Sequence, residues 1–203
     1  MKTFAYVDGY NLYNGLMDKD NHIPGDVSDT PLRKYLWLNL HSFIYSYLPK
    51  ECELEKVYYF TATVRDNPES KKRQEVFWKA LRTLPSIDIQ LGRHIPYKSR
   101  YTEKQSDVKM ALQMYCDARD TDVKAMVLVG GDSDQVPTIQ RILALNKGIE
   151  LFVIFPPLRE SDDIKALIKN QFKIKRKNLQ RHQFPDVIKR NNFPDIVRPK
   201  EWT

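Results

Sequence analysis

The stretch Thr3-Phe4-Ala5-Tyr6-Val7-Asp8-Gly9-Tyr10-Asn11 reads as a strand that runs straight into a turn. An unbroken apolar run closed by Asp-Gly marks a strand buried on both faces, the habit of a parallel sheet. A second run of this kind is Ala125 to Val129, closed by Gly130-Gly131-Asp132-Ser133-Asp134. Between them, Lys104-Gln105-Ser106-Asp107 opens a helix whose apolar stripe is Val108, Ala111, Leu112 and Tyr115. In an α/β fold, strand C-termini and the helix starts that follow them share one edge of the sheet. Asp8, Asp107, Asp132 and Asp134 are therefore expected in one crevice. Two carboxylates about 4 Å apart repel by roughly 4 kcal/mol at an effective dielectric near 20. A hard divalent cation, Mg²⁺ or Mn²⁺, is the usual remedy.

Each acid also has an ordinary explanation. Asp8-Gly9 is a common turn pair, Asp132-Ser133-Asp134 offers helix N-caps, and Asp107 complements a helix dipole. The combination shifts the balance. A cap needs one short polar residue, whereas Gly-Gly-Asp-Ser-Asp places two carboxylates and a hydroxyl around one turn, with Gly130 and Gly131 allowing close backbone approach to a ligand.

Outward from these signatures, strand and helix alternate. Asn11 to Met17 starts a helix, and Asp18 to Pro31, with Pro24-Gly25, is a polar loop. Leu32, Leu36, Leu40, Phe43, Ile44, Tyr47 and Leu48 follow a helical period between Pro31 and Pro49, predicting one helix. Leu54 to Val64 is the second strand, Pro68 to Leu84 a helix, and Ile87 to Ile95 a short third strand near an edge. A helix over Asp134 to Asn146, stopped at Gly148, leads to a strand over Ile149 to Phe155. The expected architecture is α/β: a mostly parallel central sheet flanked by helices on both faces. Near the end, Gln183-Phe-Pro-Asp-Val-Ile-Lys and Asn192-Phe-Pro-Asp-Ile-Val-Arg form a weak repeat. Its Phe-Pro-Asp pieces are expected to be turns that each dock a ring, with Trp202 as a last anchor.

A chain of 203 residues, 41% hydrophobic, suits one α/β domain with an appendage. The expected division is residues 1–160 as the domain and 161–203 as a basic C-terminal extension packed on it. Residues 165 to 200 carry eleven Lys and Arg against two Asp, which exceeds the whole chain's net charge of +7. A basic block beside a carboxylate cluster suggests a polyanion guided toward a metal. Cys52 and Cys116 lack ligand spacing and read as reduced thiols of a cytoplasmic protein. The N-terminus shows no signal region, and no apolar stretch approaches the roughly 18 residues of a membrane span.

Asp-Gly-x-Asn after the first strand, Lys-x-x-Asp opening a mid-chain helix and Gly-Asp-Ser-Asp after a later strand together resemble the NYN domain family. This is a branch of the PIN-like nucleases that includes LabA-type proteins, and the order and spacing fit over roughly residues 3 to 155. The closing Pro-x-x-Trp, Pro199 to Trp202, is similar to the ending of some members. Where many members have Lys-Gly-x-Asp, this chain has Lys104-Gln105-Ser106-Asp107. The resemblance implies a three-layer PIN-like fold and metal-dependent ribonuclease chemistry. It implies Asp8, Asp107, Asp132 and Asp134 as Mg or Mn ligands or water-mediated base. Asn11 would orient a ligand or phosphate, and Ser133 would hydrogen-bond a water or phosphate oxygen. Water rather than a ribose hydroxyl attacks in such a scheme, leaving a 5′-phosphate and a 3′-hydroxyl.

RNA, single-stranded or structured, is the expected partner. Arg93, His94, Tyr97, Lys98, Arg100, Tyr101 and Lys104 interleave cations with aromatics, a pattern suited to phosphates and stacked bases. Lys71, Lys72, Arg73, Lys79 and Arg82 add to a groove or form a solvated face. The alternative is a catalytically weak or inactive RNA-binding module of the same fold. A haloacid dehalogenase-type phosphohydrolase wants a second Asp two residues after the first, and Tyr10 stands there instead. A partner-binding protein would use Trp37 and Trp78 as exposed aromatics.

Overall fold

The computed structural model describes residues 1–17, 23, 30–65, 67–97, 100–145 and 147–203, with backbone alone at 94–97 and 100–104. Most of the expected Asp18–Pro31 loop, and Asn146, fall outside the described residues.

Strand β1 (Lys2–Asp8) leads directly into helix α1 (Gly9–Met17). Helix α2 (Leu40–Tyr45), β2 (Glu53–Thr61), α3 (Pro68–Leu81), β3 (Ile87–Leu91), β4 (Arg93–Tyr97), β5 (Arg100–Lys104) and α4 (Ser106–Asp120) follow. Next come β6 (Ala125–Val129), α5 (Val136–Ala144), β7 (Glu150–Phe155), α6 (Asp162–Leu167), β8 (Asn170–Lys173) and α7 (Arg176–Arg181). Two short strands, β9 (Val187–Ile188) and β10 (Ile196–Val197), end the chain before a final 3-10 turn at Lys200–Trp202.

Six strands form one sheet in the order β3-β2-β1-β6-β7-β8, every pair parallel. Side-chain alternation divides its faces. Ala5, Val7, Val57, Tyr59, Val127 and Val129 join one core with residues of α1, α2 and α3. Phe4, Tyr6, Tyr58, Phe60, Met126 and Leu128 join the other with α4, α5 and α6. The three layers and the parallel sheet are those expected. Chain direction reverses its order of progress between β1 and β6, where successive crossovers diverge to opposite sides. A crevice opens there beyond the strand C-termini.

The predicted helix over Leu32–Leu48 is interrupted. It becomes a 3-10 turn at Leu32–Tyr35, an isolated bridge between Leu38 and Gln183, and then α2, capped by the Asn39 side chain on Ser42 N. The C-terminal segment causes the break. Phe184 N donates to Trp37 O at 2.9 Å, Asn39 N donates to His182 O at 2.8 Å, and Trp37 Nε1 donates to Pro185 O at 2.9 Å. Trp37 O and Asn39 N are thereby committed to a strand-like partner and withdrawn from a continuous helix. The predicted third strand also divides. Ile87–Leu91 pairs with β2, and after Gly92 the chain leaves the sheet as the antiparallel hairpin β4–β5.

The Phe-Pro-Asp repeat pairs with itself. Ile188 faces Ile196 and Val187 faces Val197 across β9 and β10. Its rings have different fates: Phe184 is buried against Trp37, whereas Phe193 is 68% exposed beside Arg190. Trp202 is buried and packs on Trp37 and Phe77. Trp37 and Trp78 are both buried, so neither is an exposed docking residue. No helix among the described residues is long and apolar enough to cross a membrane.

Candidate metal centre

The end of β1 delivers Asp8 to the switch point. Asp8 is buried, and its Oδ1 accepts from Tyr10 N at 3.0 Å and Asn11 N at 2.9 Å, so it caps α1 while facing the crevice. The turn is tight enough to need Gly9: an added Cβ would lie 2.7 Å from both Phe60 O and the Tyr59 ring.

Strand β6 delivers the second acid. Beyond it, Gly131 passes so close to the backbone of Arg159 that a Cβ would stand 1.6 Å from Arg159 O. Only glycine fits, and Asp132 is thereby set at the crevice. Asp132 Oδ1 accepts from Asp134 N at 3.0 Å and caps the 3-10 turn Ser133–Gln135 that enters α5. Asp107 arrives from the first turn of α4.

Asp8, Asp107 and Asp132 converge: one carboxylate oxygen from each lies within 4.8 Å of the others. Opposite ligands of a Mg²⁺ ion stand roughly 4.2 Å apart, so small rotations bring all three into its coordination range. Hard oxygen donors of this kind suit Mg²⁺ and Mn²⁺. Burial, and then the fields of Asp107 and Asp132, push the Asp8 carboxyl from 3.8 up to about 6, against the pull of its two backbone hydrogen bonds.

Asp134 is exposed and stands outside this trio; its backbone N–H serves Asp132. Ser133 Oγ shares a 3.2 Å hydrogen bond with Ser161 Oγ, and Ser161 caps α6 on Ile164 N. Asn11 Oδ1 accepts from Gly131 N at 3.1 Å, so it ties one acidic turn to the other. Arg93 is exposed at the start of β4. Lys98, and the side chains of Tyr97, Arg100, Tyr101 and Lys104, lie outside the described residues.

Position 105, where the Lys-x-x-Asp signature departs from the common glycine, adopts φ +83°. This is the left-handed region that glycine occupies without penalty and glutamine does not. Asp107 reaches the trio all the same. The strain is carried by the backbone of Gln105, not by displacement of the acid.

Gln135 was not singled out by the motifs. It is 1% exposed, its Nε2 lies 3.4 Å from Asp107 O, and its Oε1 is buried with no hydrogen-bond partner among the described residues. A signal was present: Gln135 shares the i, i+4, i+7 face of buried Ile139 and Ile142, where an apolar residue is expected.

Fold and site together define an α/β protein with a cluster of three carboxylates at its switch point. Residues 5–172 match the NYN domain, and the chain belongs to that family, whose members are generally PIN-like nucleases acting on RNA. A crystal structure of a protein of unknown function from Vibrio parahaemolyticus has the same fold. Its TM-score is 0.58 at 18% identity, over 86% of this chain and 93% of that one. No curated protein matches the chain.

Proposed function

We propose that the protein is a metal-dependent ribonuclease that hydrolyses RNA phosphodiester bonds, most simply as an endonuclease. The observation that carries this reading is the convergence of Asp8, Asp107 and Asp132 at the switch point of a nuclease-family fold. These three residues would hold Mg²⁺ or Mn²⁺, with Asp134 at the rim. When bound, the ion neutralises the carboxylates and supplies Lewis-acid polarisation of the phosphodiester and of water.

The chain's own groups do the rest. Asp8, buried and fixed by two backbone N–H groups, forms the floor of the centre. Asn11 holds the two acidic turns in register. The Asp134 carboxylate takes the proton of the attacking water, and Ser133 Oγ offers a hydrogen bond to a phosphate oxygen. The β4–β5 segment, with Arg93, Tyr97, Lys98, Arg100, Tyr101 and Lys104, grips the strand by charge and stacking. The nuclease domain runs from residue 1 through β8, the last strand of the central sheet, rather than stopping at 160. The basic segment after Lys173 is the extension packed on it, in a cytoplasmic protein.

A labelled single-stranded RNA incubated with Mg²⁺ or Mn²⁺, and separately with chelator, tests the reading. Cleavage that requires the metal and yields 5′-phosphate and 3′-hydroxyl ends is expected. RNA binding that survives chelation, with no cleavage under any metal, would instead establish an RNA-binding module.

A further inference from the structure

Beside the acidic turn lies a cavity of about 100 Å³, enclosed by α1, β2, α3 and the C-terminal Trp202. Five aromatic residues line it, Tyr10, Tyr13, Tyr59, Phe77 and Trp202, together with five leucines and Val64. Tyr10 is 59% exposed despite this company. Gly9, the residue bonded to Asp8, is one of its lining residues, and Arg73 and Val64 are others. Arg73 is held there by Glu201, at 3.1 Å, and by the Ser70 hydroxyl, at 2.8 Å.

Two clefts with an excess of basic residues share a lining residue with it. Arg73 also lines one that carries Lys72, Arg198 and Lys200 beside Glu69 and Glu201. Val64 is shared with a second cleft that carries Arg65 and Lys71. One path across the surface thus meets an acidic centre, an aromatic hollow and then cations. A nucleic-acid strand presents the matching series: a phosphate, a flat base and a further phosphate. Base–aromatic stacking and cationic grooves are the usual means of holding single strands. At about 100 Å³ the hollow is smaller than the roughly 150 Å³ apolar cavity that admits benzene. It opens to solvent beside the exposed Tyr10, so a six-membered ring enters it edge-first with its exocyclic groups left at the polar rim.

We propose that this cavity is a nucleobase subsite, taking one unstacked pyrimidine of the RNA adjacent to the phosphate held at the Asp8–Asp107–Asp132 centre. The inference rests on the ribonuclease reading and adds to it the group that sets substrate position. Tyr10 and Tyr13 form the stacking faces nearest the acids, and Arg73 marks the exit of the strand toward the basic clefts.

The test compares binding of a uridine decamer with decamers that carry a single abasic residue at successive positions. Fluorescence anisotropy is read in Ca²⁺ on the wild-type protein, on Ser70→Phe, which puts a ring into the mouth from a half-exposed helix position, and on Tyr13→Leu. Metal-dependent cleavage of the same oligomers is measured in parallel, and thermal melting checks the fold of each variant. The subsite predicts a loss of about tenfold at one position in the wild type, and that position-specific loss disappears in Ser70→Phe and shrinks in Tyr13→Leu. Equal losses at every position, or an unchanged profile in both variants, overturn the subsite while wild-type cleavage leaves the nuclease assignment standing. Absence of both binding and cleavage overturns the two together.

Discussion

Asn11 Oδ1 accepts the backbone N–H of Gly131 at 3.1 Å, joining two turns 120 residues apart in the chain. One turn carries Asp8 and the other Asp132. Mutual repulsion of those carboxylates pushes the turns apart, and this amide–backbone bond opposes the separation across the crevice.

Replacing Asn11 with Ala removes the acceptor and leaves Gly131 N–H without it. A loss of about 1–2 kcal/mol in stability is expected, together with weaker Mn²⁺ binding because the two turns are no longer registered. Denaturant unfolding and metal titration measure the two effects. Stability and affinity both at wild-type values would remove this role for Asn11.

The Asp8→Asn variant keeps the Oδ1 acceptor that Tyr10 N and Asn11 N require, so the α1 cap survives. The wild-type acid is raised from 3.8 to about 6 on folding. The folded state therefore holds a proton that the unfolded chain has already released across that window. Stability from this residue falls as pH climbs from about 4 to about 6 and is level above. In chelator, Asp8→Asn should be more stable than wild type above pH 6, by at most about 3 kcal/mol, and equal to it below pH 4. Cleavage should be lost at every pH. Melting curves across pH 3.5–8 decide the point, and a variant that melts lower than wild type at pH 7.5 contradicts it.

Gln105 carries the φ of +83° in the turn before α4. Glycine there should raise stability by about 0.5–1 kcal/mol after its own entropy cost, and a β-branched valine should lower it by about 1–2 kcal/mol. Valine should also weaken Mn²⁺ binding, since Asp107 lies two residues on. Indistinguishable melting temperatures for the two variants would mean that the turn carries no strain.

The two halves of the Phe-Pro-Asp repeat should respond differently to truncation. Phe184→Ala opens a hole against Trp37 and should cost about 3–5 kcal/mol, while Phe193→Ala, on an exposed ring, should change stability by less than about 0.5 kcal/mol. Comparable losses in urea titrations would refute the packing difference.

Much of this architecture was legible in the residues. The unbroken apolar runs before Asp8-Gly9 and Gly130-Gly131 read as strands covered on both faces, and the convergence of their closing acids is what the switch-point rule anticipates. Asp107 was legible through Lys-x-x-Asp, but the buried face of α4 was not. Of the stripe read from the sequence, Val108 and Leu112 are exposed, and Met110, Met114 and Ala118 are the residues that pack on the sheet. Tertiary effects were not legible either. The helical period across Leu32–Leu48 is real, but the chain end pairs with Trp37 and Leu38 and interrupts it. The repeat displays two equivalent phenylalanines, and only packing separates buried Phe184 from exposed Phe193. Asp134 reads like Asp132 in a Gly-Asp-Ser-Asp motif, yet the 3-10 turn points successive residues in different directions and leaves it outside the trio. The aromatic cavity joins residues from α1, β2, α3 and the C-terminus, with no local spacing to announce it.

Isothermal titration of Mn²⁺ into the metal-free protein, with Asp132→Asn and Asp107→Asn alongside, examines the convergence of the three carboxylates most directly. Saturable binding in the wild type, weakened at least tenfold in either variant, is the predicted result. No heat of binding in the wild type, or binding that both substitutions leave intact, would contradict the assignment of Asp8, Asp107 and Asp132 as one cation-holding centre.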